Sequence, residues 1–469
     1  MAVFLLAAAA SAAGIGVRST YGGHAAVDEP QYLLTALSLA EDRDLDIADE
    51  LAEQRWRSFH DAELPAQTAV LADGRQVSPH DPLLPLLLAV PMAVGGWVAA
   101  KAALALLAGL TAALLLWIAV RRFAVPLPIA AAGAALAATS PPLVVYGQQV
   151  YPELPAALAV LVAVAALTGK LRPPAVAALG LAVVALPWLS VKYAPVAAVV
   201  ALLGLIRLWR CGRRRAALSL AGGLGLAGAA YLGAHRLIWG GWTVYAAGDH
   251  FAASGEFRVV GIQPDYAGRS LRLIGLFVDR GFGLAAWAPA ALLAVPALVW
   301  LVRRRPPDAA VLALPLLAGW LVATFVALTM HGFWWPGRQV VVVLPLAVLA
   351  LLCWLRSAGR GPLLAAGLAG LAGVAAYTAL LLDGWAGQLT WVVGFEAVDN
   401  PIYQAWQVLL PDYRGAGPSL WARHVAWLLV VAALACWGWR SAKRSRPAAG
   451  QPPGVEPRSL SMPVKGAHQ

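Results

Sequence analysis

Two carboxylates stand side by side at Asp28 and Glu29, in "GGHAAVDEPQYLLTAL" (22–37), just beyond the first apolar stretch. A carboxylate at a membrane surface, partly withdrawn from water, has a raised pKa and makes a usable general base. The plainer reading is a solvated loop acid beside a helix start. In "SPHDPLLP" (78–85), His80 and Asp81 precede Pro82. Proline keeps the residue before it extended and suits the first turn of a helix. Asp81 therefore fits an N-cap.

Cations follow further along. Lys192 in "PWLSVKYAP" (187–195) is costly in an apolar stretch unless it meets an anion or snorkels to the interface. A phosphate is such an anion. Lys101 reads as a snorkelling residue. In "MHGFWWPGRQ" (330–339), Arg338 suits bidentate phosphate binding, with His331 as a neighbour of the same site. Trp334 and Trp335 read as an interfacial belt. "YGQQVYPE" (146–153) sets Tyr146, Gln149, Tyr151 and Glu153 on a short turn, either a cavity wall or a capped turn. Asp279 and Arg280 in "DRGFGL" read as structural. The Asp-x-Asp spacings Asp42/Asp44 and Asp44/Asp46 suit a hard cation. A water-facing acidic helix is the blander reading, and the expectation is no metal and no cofactor.

The elements that must position these groups are membrane spans. The chain has 469 residues, 60% hydrophobic and 13% charged, with mean hydropathy +0.70. A soluble core could not hide so much apolar surface. Apolar stretches predict about twelve spans (11–13), at 2–17, 98–120, 126–146, 153–169, 174–190, 194–209, 216–238, 283–302, 309–330, 339–355, 361–382 and 423–439. The segment 81–96, with prolines at 82, 85 and 91, reads as broken and interfacial. The expected fold is an all-α integral membrane protein, with a transmembrane domain over 1–440. Large outer loops fall at 18–97, 239–282 and 383–422, and a disordered cytoplasmic tail at 441–469.

Charge orients this map. The basic clusters Arg121-Arg122, Lys170/Arg172, "RLWRCGRRR" (207–215), "RRRPP" (303–307), Arg356/Arg360 and "RSAKRSR" (440–446) close alternate loops. With both termini cytoplasmic, all of them fall inside. Of the 24 acidic residues, 22 fall on or near the outer face. The net charge of +11 is thus a topological signal and not a nucleic-acid footprint. No Gly-rich phosphate loop follows a strand, so a cytoplasmic nucleotide site is unsupported. The three cysteines imply no disulfide framework.

With the acids placed outside, the chain resembles the GT-C superfamily of polyprenyl-phosphate-sugar-dependent glycosyltransferases. "DEPQY" (28–32) is similar to the Asp-Glu-x-Arg-Tyr motif of aminoarabinose transferases and the Asp-Glu motif of protein O-mannosyltransferases. "DRDLDIADE" (42–50), "SPHDPLLPLLLAVP" (78–91), "YGQQVYPELPAAL" (146–158), "DRGFGLAAWAP" (279–289) and "WWPGRQVVVVLPLA" (334–347) resemble an uncharacterised bacterial branch of that group. Gln31 departs from the motif's Arg, and His80-Asp81 stands where aminoarabinose transferases carry Glu-Lys.

The resemblance implies a plasma-membrane enzyme with a polyprenyl-phosphate sugar donor and a lipid, glycan or protein acceptor. Asp28 would be the general base. Glu29 would orient Asp28 or bind the acceptor, and Lys192 and Arg338 would bind the phosphate. His80, Asp81, Tyr146, Gln149, Glu153 and His331 would complete the substrate site. A transporter or flippase of lipid-linked glycans is the rival, but carriers place ionisable residues near the midplane and show internal repeats. A reporter enzyme active only outside the cytoplasm should be active when inserted beside Asp61 and silent when fused after Arg215. The opposite pattern overturns the topology.

Overall fold

The computed structural model describes residues 1–65, 67–244, 265–327, 329–392 and 398–444. The expected loops 239–282 and 383–422 and the tail 441–469 therefore fall partly outside the described residues.

The molecule is an all-α integral membrane protein. Alanine and leucine dominate its apolar stretches, and both favour helix. In a bilayer, only a helix satisfies the backbone of a lone segment. Each of the twelve expected spans coincides with helix. Among the described residues, six helices are long and apolar enough to cross a membrane: Leu83–Arg121, Val191–Arg210, Arg214–Ile238, Ala309–Val326, Arg360–Trp385 and Pro418–Lys443. Five are shorter: Ala2–Ala13, Leu127–Ala138, Glu153–Leu167, Pro173–Leu189 and Leu344–Leu355. The remaining stretch, 283–302, is divided into Leu284–Trp287, a 3-10 turn Pro289–Leu293 and Ala294–Arg304.

We label α1 (Ala2–Ala13), α2 (Glu29–Glu41), α3 (Ala48–Ala52), α4 (Leu83–Arg121), α5 (Leu127–Ala138), α6 (Leu143–Tyr146), α7 (Glu153–Leu167), α8 (Pro173–Leu189), α9 (Ala194–Arg210) and α10 (Arg214–Ile238). The segment 81–96 is not broken at its prolines. Pro85 lies in the first turn of α4, where no helical donor is needed, and Pro91 is accommodated within the helix. The break comes at Gly95-Gly96. Gly96 has φ 61° and ψ −155°, a backbone region open essentially only to glycine.

The first expected outer loop is folded. Strands Ala69–Val70 (β1) and Gln76–Val77 (β2) pair antiparallel, with Ala69 opposite Val77. Asp46 bridges to Val77, and Gly23 bridges to His60. Helix α2 packs against α4 and buries every residue from Glu29 to Ser38. A helix apolar and enclosed on all sides is held in place by its surroundings.

Its first residue fixes it most firmly. The Glu29 carboxylate is fully buried and accepts from Ser19 Oγ (2.6 Å), Ala26 N (3.1 Å) and Val150 N (2.8 Å). Lys101 Nζ lies 3.7 Å away and donates to the His24 carbonyl at 2.6 Å. Lys101 therefore does not snorkel: it is completely enclosed, because α4 carries it against α2 and the loop before it. This cluster ties the first outer loop, α4 and the turn before α7 together. Removing one partner of a buried pair strands the other charge, at a cost of about 3–5 kcal/mol. Glu29→Ala and Lys101→Met should each lower the thermal unfolding temperature of the purified protein strongly. The double change Glu29→Gln/Lys101→Met should be less damaging than the sum. Full stability of Lys101→Met alone would refute this account.

Candidate functional site

Asp28 occupies the N-cap position of α2, yet its side chain makes no capping bond. Its carboxylate turns instead to Arg338, with Oδ2 accepting from Nη2 at 2.7 Å. The residue before it, Val27, has φ 59°. A β-branched side chain is strained in that left-handed region, and such strain persists only where surroundings enforce it. Here the enforcing contacts are the buried Glu29 bonds one residue beyond Asp28, and Gln67 Nε2 donating to the Val27 carbonyl at 3.1 Å.

Arg338 opens a 3-10 turn, Arg338–Val340. Gly337 before it has φ +84°, and a Cβ there would meet Pro142 Cγ at 2.9 Å. Only glycine lets the chain turn this close to the loop that leads into α6. Arg338 Nε donates to Glu153 Oε1 at 2.9 Å, and Lys192 Nζ donates to the same oxygen at 2.7 Å. Four charges thus alternate in one chain: Asp28, Arg338, Glu153, Lys192. They come from the start of α2, the turn at Arg338–Val340, the start of α7 and the start of the helical stretch Val191–Arg210. Two carboxylates and two cations leave no net charge.

Aromatic rings enclose the chain. The Arg338 guanidinium lies 4.1 Å from the Tyr151 ring centre and 5.3 Å from that of Trp334. Lys192 lies 5.2 Å from the Tyr193 ring. Tyr146 donates to the Trp335 carbonyl at 2.6 Å. Tyr32 stacks on His80 at 4.5 Å. Among the described residues, the buried hydroxyls of Tyr151 and Tyr193, the Gln149 amide and Glu153 Oε2 have no hydrogen-bond partner. Buried polar atoms are normally paired, so a polar ligand would satisfy them.

Asp28 lies in the loop between α1 and α2, and its electrostatics differ from the expectation of a raised pKa. Burial pushes it up, but Arg338, His80 and Lys192 outweigh that and hold the carboxyl below its usual range. At rest it is a paired carboxylate and not a poised base.

Other expected residues lie elsewhere. Glu29 cannot orient Asp28 or meet an acceptor, because its oxygens are committed within the buried cluster with Ser19, Ala26, Val150 and Lys101. Asp81 makes no helix cap. Its carboxylate accepts from Val191 N (2.9 Å) and the Tyr231 hydroxyl (2.9 Å), and lies 3.0 Å from His235 Nε2. Asp81 thereby fastens α10 and the turn that carries Lys192 to the start of α4. His331 leaves the Arg338 site altogether. Its Nε2 lies 3.1 Å from Asp279 Oδ2, in a knot where Asp279 also accepts from the backbone at Gly281, Phe282 and Tyr413. Trp335 is fully buried, not at the interface, and packs on Trp287 and Trp391.

Some contributors escaped the sequence reading. Tyr32 and Tyr193 stand inside motifs already singled out, and their signal was a tyrosine within a few residues of a charge. Tyr231 and His235 sit four apart on a Gly/Ala/Leu-rich helix, so they share one face.

No family model matches the chain, and no curated protein does. Two solved structures are similar to it, both of ArnT from Cupriavidus metallidurans. One, in the apo state, is 18% identical with a TM-score of 0.49. The other, bound to undecaprenyl phosphate, is 16% identical with a TM-score of 0.46. Each comparison covers 94% of this chain and 74% of the other.

Proposed function

We propose that the protein is a membrane glycosyltransferase of the GT-C kind, which transfers a sugar from a polyprenyl phosphate to an acceptor hydroxyl at the outer face. The observation that carries this reading is that the short elements holding a buried charge chain also line an apolar chamber. That chamber has a volume of about 720 Å³ and includes Leu143, Leu284, Val340, Leu344 and Gly370 in its lining. The same short elements serve both. Helix α6 presents Leu143 to the chamber and Tyr146 to the charges, while the turn Arg338–Val340 presents Val340 to the chamber and Arg338 to the charges. A donor with an isoprenoid tail and a phosphate head matches that pairing.

In this mechanism Arg338 exchanges partners. It leaves Asp28 for the donor phosphate, with Lys192 alongside, and Glu153 keeps the two cations preset. Loss of Arg338 removes the strongest influence holding Asp28 low, while burial remains. Asp28 then becomes more basic as donor arrives. It takes the proton from the acceptor hydroxyl while that oxygen attacks the anomeric carbon. The bond from that carbon to the phosphate oxygen breaks, and its electron pair leaves with the lipid phosphate. Direct displacement inverts the anomeric centre. Tyr151, Tyr193 and Gln149 offer polar contacts to the sugar, and His80 and Tyr32 flank the acceptor side.

Asp28→Asn should lower transfer at least ~100-fold in membranes supplied with donor lipid, the scale of a lost general base. Unchanged transfer would sink the assignment of Asp28. Arg338→Gln should also shift the acid limb of the rate profile. Asp28 is held low mainly by Arg338, so it stays ionised as pH falls in the native protein. Without the guanidinium its pKa rises, and residual activity should fail at higher pH than in the native protein. An acid limb that stays in place, or moves lower, counts against the coupling.

A further inference from the structure

The acidic stretch 41–50 carries a second device at the far end of α2. Asp44 and Asp46, which the sequence pattern singled out, serve the backbone. Asp44 Oδ1 accepts from Ser38 Oγ and Asp46 N. Asp46 Oδ1 accepts from Ala48 N and Gln76 N. Helix α3 then folds back beside the end of α2, and three other carboxylates converge: Asp42, Asp49 and Glu50. One oxygen from each lies within 4.8 Å of the others.

Glu50 sets this cluster apart from ordinary surface acidity. It is only 2% exposed, and neither carboxylate oxygen has a hydrogen-bond partner among the described residues. A buried carboxylate with no donor is expensive, and buried charges are normally paired or bound to a metal. The nearby guanidinium of Arg55 is engaged by Glu41 at 2.9 Å and Glu53 at 3.6 Å. Asp42 and Asp49 are exposed, so an ion has a way in. The spacing suits oxygens around a hard cation, which sit about 2.3–2.6 Å from calcium. The site also lies at the C-terminus of α2, where the helix dipole favours positive charge.

We infer that Asp42, Asp49 and Glu50 form a divalent-cation site of the calcium type, which clamps α3 to the end of the helix whose start carries Asp28. The ion is structural and stands apart from the reacting centre. It would hold α2 at both ends: by Glu29 in the buried cluster at one end and by the metal at the other. Its existence does not depend on the proposed sugar transfer, since its readout is binding.

The test uses the full chain in lipid nanodiscs, stripped with chelator and titrated with calcium chloride or magnesium chloride. Extracellular calcium modules bind in the range of about 0.1–1 mM, and binding to the native state alone raises its unfolding temperature. Calcium should raise that temperature, and terbium luminescence should report a site that calcium displaces. Glu50→Gln should abolish both responses. Asp42→Asn, an exposed change that should not disturb folding, should weaken calcium binding at least tenfold. Glu50→Gln without calcium should unfold no earlier than the stripped native protein, because it removes an unpaired buried carboxylate. Absence of any calcium or magnesium response at 10 mM, or a response unchanged in both variants, overturns the inference.

Discussion

Everything at the candidate site follows from one constraint: an ion taken out of water must find a partner of opposite sign. Asp28, Arg338, Glu153 and Lys192 meet it collectively. Each group arrives from a different element, so each pairing is also a tertiary contact. Glu153 Oε1 serves two cations at once, which makes α7 the hinge of the arrangement. The cost of desolvating such groups is large, and their mutual attraction roughly repays it only when geometry is good. The chain of charges is therefore better understood as specifying position than as adding stability. Net neutrality matters for the same reason. The resting site is electrically closed, so in the proposed reaction an incoming phosphate would have to compete for cations already engaged.

That competition links structure to chemistry. A carboxylate already paired with arginine is a weak base, so under the proposed mechanism such a site would do little until its anion arrived. The supports around it are correspondingly rigid. Glu29 and Lys101 lock the beginning of α2, Asp81 fastens the Lys192 turn to α4 and α10, and Gly337 allows Arg338 to sit tight against Pro142. The strained φ at Val27 is sustained by these supports. None of them touches the four-charge chain by itself, yet together they set its spacing.

How much of this the sequence disclosed depended on the range of the interaction involved. Spans were legible because hydropathy is local: a run such as 361–382 announces itself. The break in α4 was misplaced because prolines look like breakers, while Pro85 sits where a helix needs no donor and only Gly96 has a backbone that forces a turn. Asp28, Glu153, Lys192 and Arg338 were each legible as ionisable residues at the ends of apolar segments. Their pairing was not, since Asp28 and Arg338 are 310 positions apart. Glu29 shows the same limit from the other side. Beside Asp28 in sequence, it is held by a different set of donors, because successive residues on a helix project about 100° apart.

His331 and Asp81 extend the point. Both are polar residues in apolar surroundings, the usual mark of a functional group. Each instead solves a local problem. Asp279 with His331 closes the turn at Gly281-Phe282 and receives the backbone of Tyr413, while Asp81 satisfies the free backbone donor at Val191. A polar residue in an oily chain announces that something needs a partner, but not whether that partner is a substrate or a stretch of backbone. The separation here rests on what remains unsatisfied. Asp81 and Asp279 are surrounded by donors. Around Arg338, the hydroxyls of Tyr151 and Tyr193 and the second oxygen of Glu153 are buried without one. That excess of unmet polar capacity, on elements that also line an apolar chamber, is what the proposed amphipathic donor would satisfy.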